Sequence, residues 1–183
     1  MSKKLYIGDW HYGHANCIRF DNRPYNNVYE MNEDLIRRWN SVVGDDDTVY
    51  VLGDMFWCNI SQAILVLDQL KGKRVLIRGN HDRCNNEFKS KFEQVVDYLE
   101  IEDNGRRVVL SHYPMPCFKN HFYGWYHLYA HVHSSFEWNM MESIKREMTE
   151  LYGKQCNMYN TGVMMPYMNY TPRTLDEIIT AQN

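Results

Sequence analysis

The chain has 183 residues, a length that suits a single domain spanning 1–183, and its 44% hydrophobic content is enough for a buried core without disulfides or a structural metal. A net charge of −3 argues against an extended nucleic-acid track, which relies on many Lys and Arg contacts to phosphates. The five cysteines are odd in number and include no Cys-x-x-Cys pair, which speaks against both a disulfide framework and a zinc ribbon. Met1-Ser2-Lys3-Lys4 leads directly into a strand-like segment with no secretory h-region, and no apolar run approaches the roughly 20 residues of a membrane span. A cytoplasmic protein with no membrane partner is expected, and its oligomeric state is open. In chain order, Lys4–Gly8 reads as a strand. A helix follows over Glu33–Val43, capped by Asn32, ended by Gly44, with Leu35, Ile36, Trp39, Val42 and Val43 on one stripe. Next come a strand at Thr48–Leu52 and a helix capped by Ser61 that buries Ile64, Leu67 and Leu70 before Gly72. Strands are expected at Arg74–Ile77, Val95–Leu99, Arg107–Leu110 and His127–Ala130, then a helix within Ser134–Gly153 and a strand at Cys156–Tyr159. Thr174 with Glu177 three residues on forms a capping box that opens the last helix. Alternating strands and helices make this an α/β domain.

Five of the apolar strands end in residues of metal-ligand type. Leu5-Tyr6-Ile7-Gly8 runs into Asp9-Trp10-His11. Val49-Tyr50-Val51-Leu52 runs into Gly53-Asp54, and Val75-Leu76-Ile77-Arg78 into Gly79-Asn80-His81-Asp82. Val108-Val109-Leu110-Ser111 runs into His112, and Leu128-Tyr129-Ala130 into His131-Val132-His133. In α/β sheets ligand sites form beyond the carboxyl ends of strands, so these five ends are placed to converge. Each motif alone is weak; their succession is the signal. Carboxylate, imidazole and amide oxygen suit manganese, iron or zinc, and no cysteine belongs to the set. Seven ligands exceed one tetrahedral ion and suit two ions about 3.5–4 Å apart that share a carboxylate. Two divalent ions outweigh Asp9, Asp54 and a bridging hydroxide, so the site stays positive toward an anionic phosphate ester.

This succession of Asp-x-His, Gly-Asp, Gly-Asn-His-Asp, His and x-His-x-His resembles the calcineurin-like metallophosphoesterase superfamily. The resemblance runs from Asp9 to Asn160-Thr161-Gly162-Val163. Gly13-His14-Ala15-Asn16 and Arg19-Phe20-Asp21-Asn22-Arg23-Pro24 resemble a small bacterial and phage branch of it. It implies a four-layer α/β/β/α sandwich with two mixed sheets. It also implies two divalent metal ions, manganese first, with iron, zinc or nickel as alternatives. Asp9, His11, Asp54 and His133 would hold one ion; Asp54, Asn80, His112 and His131 would hold the other, with Asp54 bridging. The departure is Ala130, where the family usually has glycine; a positive φ there would reshape the last loop.

The implied reaction is hydrolysis of a small phosphodiester or phosphomonoester, such as a nucleotide, by attack of a metal-bound hydroxide. His81 is the candidate general acid. Asp82 either orients it or pairs locally with Arg78 or Arg83. His14, Arg19, Arg23 and Arg83 are candidate substrate contacts, each with a plain loop-stabilising reading beside it. His127 lies roughly 13 Å along its strand from His131, too far to ligate. Tyr113 and Phe118 are candidate cleft residues; the other aromatics of that loop read as packing. The competing functions are a nuclease of the same superfamily and a non-catalytic scaffold of the same fold. The retention of all seven ligands with His81 argues against the scaffold, and the lack of basic excess argues against the nuclease.

Overall fold

In a computed structural model describing residues 2–182, eight strands form two four-stranded sheets. The first contains β1 (Lys4–Ile7), β2 (Thr48–Val51), β3 (Lys73–Ile77) and β4 (Gln94–Val96) in that order. Its ladders are parallel, with Leu5 opposite Val49 and Val51 opposite Leu76. An antiparallel bridge from Tyr6 to Arg173 flanks β1. The second contains β5 (Tyr98–Asp103), β6 (Arg106–Ser111), β7 (Tyr126–Tyr129) and β8 (Asn157–Asn160). It is mixed: β5 and β6 form an antiparallel hairpin, and the pairs β6–β7 and β7–β8 are parallel.

Period-two alternation sorts the second sheet's side chains between two layers. Val108, Leu110, Leu128 and Tyr159 join the main core with Leu5, Ile7 and Val51 of the first sheet. Val109, Tyr129 and Met158 face the other way, against Met148, Met141 and Ile144 of α5 (Phe136–Tyr152). The first sheet is covered by α2 (Val28–Val42), α3 (Ile60–Leu67) and α6 (Leu175–Thr180). The result is the α/β/β/α sandwich that the motif resemblance implies.

The principal helices are where the apolar stripes place them, with shifted starts. The second helix of the chain begins at Asn27, whose side chain accepts from the N–H groups of Tyr29 and Glu30, and not at Asn32. The extra turn brings Met31 into line with Leu35 and Trp39, all fully buried at spacing four. Asn32 lies inside the helix and its Oδ1 accepts from Gly13 N–H at 2.8 Å, which ties down the loop after His11. Likewise Asn59, not Ser61, caps α3. The Thr174–Glu177 capping box is formed, and Ser135 opens α5, with Gly153 ending it in the left-handed region. Two short helices, α1 (Ala15–Phe20) and α4 (Asn86–Lys89), were not anticipated. The expected strand Val95–Leu99 is two strands: the chain leaves the first sheet after Val96 and enters the second at Tyr98. Asp97, at the crossing, takes both Nε and an Nη of Arg78, at 2.8 and 2.7 Å. No helix among the described residues is long and apolar enough to cross a membrane.

Candidate metal centre

The loops leaving β1, β2, β3, β6 and β7 bring all seven expected ligands into one contiguous cluster. Asp9, His11, Asp54 and His112 are buried. The backbone at Asp9, His11, Asp54, His131 and His133 lies at φ of 49, 50, 52, 71 and 50°. This left-handed region costs an L-residue roughly 1–2 kcal/mol, and such strain collects at functional sites. Gly53 makes the second loop possible: its φ is +85°, and a side chain there would strike His112 Nδ1 and the backbone of Gly79. Ala130 has no positive φ, so the last loop forms without the glycine common in this pattern.

Donor atoms of Asp9, His11 and His133 lie within 4.8 Å of one another, as do those of Asp9, Asp54 and His112. Asp9 therefore belongs to both groups. Asp54 Oδ2 is 3.9 Å from His11 Nε2 and 3.6 Å from His112 Nε2, within reach of both groups. Asn80 Oδ1 is 3.0 Å from both His112 Nε2 and His131 Nδ1. Asp9 Oδ2 and both ring nitrogens of His11 are buried without a hydrogen-bond partner. Leaving such groups unpaired costs about 1–3 kcal/mol each, and divalent ions with oxygen and nitrogen ligands are the partners that fit this donor set.

Several contacts fix how the ligands are presented. His112 Nδ1 donates to Leu52 O at 2.8 Å, which frees Nε2 for the cluster. His133 Nδ1 donates to Asp21 Oδ1 at 2.9 Å. Asp21 in turn receives Nε and an Nη of Arg23, at 3.1 and 2.9 Å. A carboxylate behind a ligating imidazole sets its tautomer and raises its basicity. Asp54 Oδ1 accepts from His81 N–H at 2.9 Å, and Asp9 Oδ1 from His131 N–H at 3.1 Å.

Burial dominates the electrostatics. It raises the Asp9 carboxyl against the pull of His133 and His112. It pushes the His11 imidazole down to about 2, helped by the Arg23 cation. Burial also lowers His131 and His14. For His133 burial acts downward too, but the Asp21 hydrogen bond and the Asp9 charge outweigh it, and the group is raised.

The remaining expected residues divide. His81 is exposed at the rim, its ring 4.5 Å from that of Trp57 and 6.1 Å from that of His11. His14 stacks on Trp57 at 4.0 Å and lies 5.4 Å from the His11 ring. Arg83 lines a cavity of about 630 Å³ together with His81 and Trp57. Arg19 is exposed on α1 and lines neither this cavity nor a second one of about 440 Å³. Three placements differ from expectation. Arg23 is not at the substrate: it is 3% exposed and spends its donors on Asp21, Trp10 O and Asp9 O. Asp82 neither orients the His81 ring nor pairs with Arg78 or Arg83. Its carboxylate accepts from the N–H groups of Asp54, Met55 and Gly79 at 2.8–3.0 Å, fastening two ligand loops together. Phe118 is buried against the His127 ring, away from the cleft, whereas Tyr113 is half exposed with its ring 4.4 Å from His131. His127 is structural, as its distance suggested, with Nδ1 donating to Val109 O and Nε2 accepting from Met115 N–H.

Sequence reasoning missed Asp21 and Trp57. Asp21 stood in the quoted Arg19–Pro24 run, next to an arginine that a buried carboxylate would need. Trp57 gave no signal, since its role depends on a neighbour 43 positions earlier, His14.

A family model described as calcineurin-like phosphoesterase matches residues 3–156. An uncharacterized protein of Methanocaldococcus jannaschii is 34% identical over 182 residues, covering 98% of this chain and 90% of its own. The Gene 66 protein of Mycobacterium phage L5 is 36% identical over 85 residues, 45% of this chain and 41% of its own. Among solved structures, a protein of unknown function from Aquifex aeolicus aligns with a TM-score of 0.66 at 22% identity, covering 99% of this chain and all of that one. This last likeness is one of fold.

Proposed function

This chain belongs to the calcineurin-like phosphoesterase family, and from that premise we propose that it hydrolyses a small phosphate ester at a centre of two divalent metal ions. One observation carries the reading. Asp9 Oδ2 and both nitrogens of His11 are buried and unsatisfied within a cluster that also holds Asp54 and His112. The oxygen and nitrogen donors, with no thiolate, favour manganese, with iron, zinc or nickel as alternatives. Bound ions supply Lewis-acid polarisation of phosphoryl oxygens and a water of lowered pKa.

The protein's own groups do the rest. Asp54, between the two imidazoles of His11 and His112, couples the two halves of the site. His81 is anchored through its backbone to Asp54 Oδ1, and its ring is free at the rim to protonate the departing oxygen. Arg83 reaches phosphate oxygens from the cavity wall. The net charge of −3 favours a small substrate over a nucleic-acid track. All five cysteines are free, which supports a reducing, cytoplasmic setting.

The deciding experiment is hydrolysis of bis-p-nitrophenyl phosphate and p-nitrophenyl phosphate with manganese and with EDTA, alongside metal analysis. Manganese-dependent release with about two ions per chain is expected. Bound ions with no hydrolysis of any phosphate ester under manganese, iron, zinc or nickel would overturn the enzyme assignment in favour of a binding role.

A further inference from the structure

Two cavities meet at Asn80, and they differ in character. The larger, about 630 Å³, has an apolar wall that includes Trp57, Ile60, Ala63 and Phe88, with His81 and Arg83 on its polar side. The smaller, about 440 Å³, lies across Asn80 and is lined by His112, Tyr113, Tyr98 and Met115, among others. Both volumes fall in the range of small-molecule sites, roughly 300–1,000 Å³. A monoester carries one organic group and would leave one of them empty. A diester carries two, departing from phosphorus in different directions.

Charge points the same way. A monoester dianion calls for more cationic partners than a singly charged diester. Arg78 at the smaller cavity is already held by the Asp97 carboxylate, and Arg23 is buried on Asp21. Arg83 is the one arginine lining either cavity that has no ion pair among the described residues. The direction of cleavage follows from His81. It lines the larger cavity and not the smaller, so the arm in the larger cavity is the one whose oxygen can be protonated as it leaves. Aromatic walls suit a planar arm, such as a nucleobase-bearing or aryl group.

Resting on the phosphoesterase reading above, we propose that the substrate is a phosphodiester, its planar aromatic leaving arm seated beside His81 and Trp57 and its retained arm against Tyr113 and Met115. In the reaction water adds to phosphorus and releases a proton to solvent, the P–O bond to the leaving arm breaks, and His81 gives its proton to that oxygen and regains one from solvent at the exposed rim. The products are an alcohol and a phosphomonoester of the retained arm.

The test compares bis-p-nitrophenyl phosphate, methyl p-nitrophenyl phosphate and p-nitrophenyl phosphate on the manganese-loaded protein. The bis ester should exceed the monoester in kcat/KM by about tenfold or more, the scale of one well-fitted pocket contact. Met115→Trp, which fills the smaller cavity, should lower the bis-to-methyl ratio about tenfold; Tyr113→Ala, which strips its wall without adding bulk, should lower the same ratio. Ala63→Phe, filling the larger cavity, should lower kcat/KM on all three esters with metal content unchanged. Hydrolysis that favours the monoester, or a bis-to-methyl ratio unmoved in both Met115→Trp and Tyr113→Ala, overturns the two-arm assignment and leaves the enzyme reading standing. With ions bound, no turnover of any ester under manganese, iron, zinc or nickel overturns both.

Discussion

The methyl group of Ala130 fills the space that a side chain on Gly8 would need. A Cβ built on Gly8 would lie 2.6 Å from the Cβ of Ala130 and 3.1 Å from Thr161 Oγ1. The ends of β1 and β7, in different sheets, thus touch through one small residue and one with no side chain, one position before Asp9 and one before His131. Gly8→Ala should cost about 1–3 kcal/mol by overpacking, and Ala130→Gly should recover part of that in the double variant. Urea unfolding of the four proteins in a double-mutant cycle measures the coupling; strict additivity would show that the two positions do not compete for this space.

Asp21→Asn should weaken metal binding about 10–100-fold, because His133 loses the carboxylate that fixes its ring. It also leaves Arg23 buried beside a neutral amide, and breaking a buried ion pair costs roughly 3–5 kcal/mol. Metal titration followed by calorimetry reads the first effect and thermal unfolding the second. Unchanged affinity would mean that Asp21 does not govern the presentation of His133.

His81→Ala should keep two ions bound and lose turnover mainly on esters with poor leaving groups, by about 10²–10⁴-fold. Nitrophenolate needs little help from an acid, so nitrophenyl esters should suffer least. Equal losses on nitrophenyl and alkyl esters would remove the proton-donor role.

His127 predicts an acid-sensitive fold. Burial pushes its imidazole down to about 4, and its Nε2 accepts from Met115 N–H, which requires the neutral ring. In the unfolded chain the group titrates near 6.5. Between these values the unfolded state binds the proton and the folded state does not, so stability falls as pH drops from about 6.5 toward 4, by up to ~1.4 kcal/mol per pH unit. Above that window the residue adds no slope. His127→Gln should flatten this limb, seen as a smaller difference in urea midpoint between pH 7 and pH 5; an unaltered slope would place the acid sensitivity elsewhere.

Much of the site was legible because two independent patterns coincide at each strand end: an apolar run that must be buried, followed by residue types that resist burial unless they find a partner. That is why Asp9, His11, Asp54, Asn80, His112, His131 and His133 could be read as a group. Arg23 and Asp82 could not be read in the same way. Both are polar residues beside ligands, and their roles depend on which backbone groups come near: Trp10 O and Asp9 O for one, the N–H groups of Asp54, Met55 and Gly79 for the other. Those neighbours are set by how separate loops pack, which local sequence does not encode. The split at Asp97 escaped for a related reason: an extended chain that changes sheets keeps the same alternation on both sides of the step.

Among the described residues, ten that are not glycine have positive φ; four are asparagines, which tolerate it, and five are the aspartates and histidines of the candidate metal centre. At each of those five, glycine would relax the backbone while removing a candidate ligand. Selection for folding alone would therefore erode this centre one residue at a time, and a descendant released from its chemistry should become harder to unfold. The five side chains thus stand against the preference of their own backbone, which folding by itself does not call for.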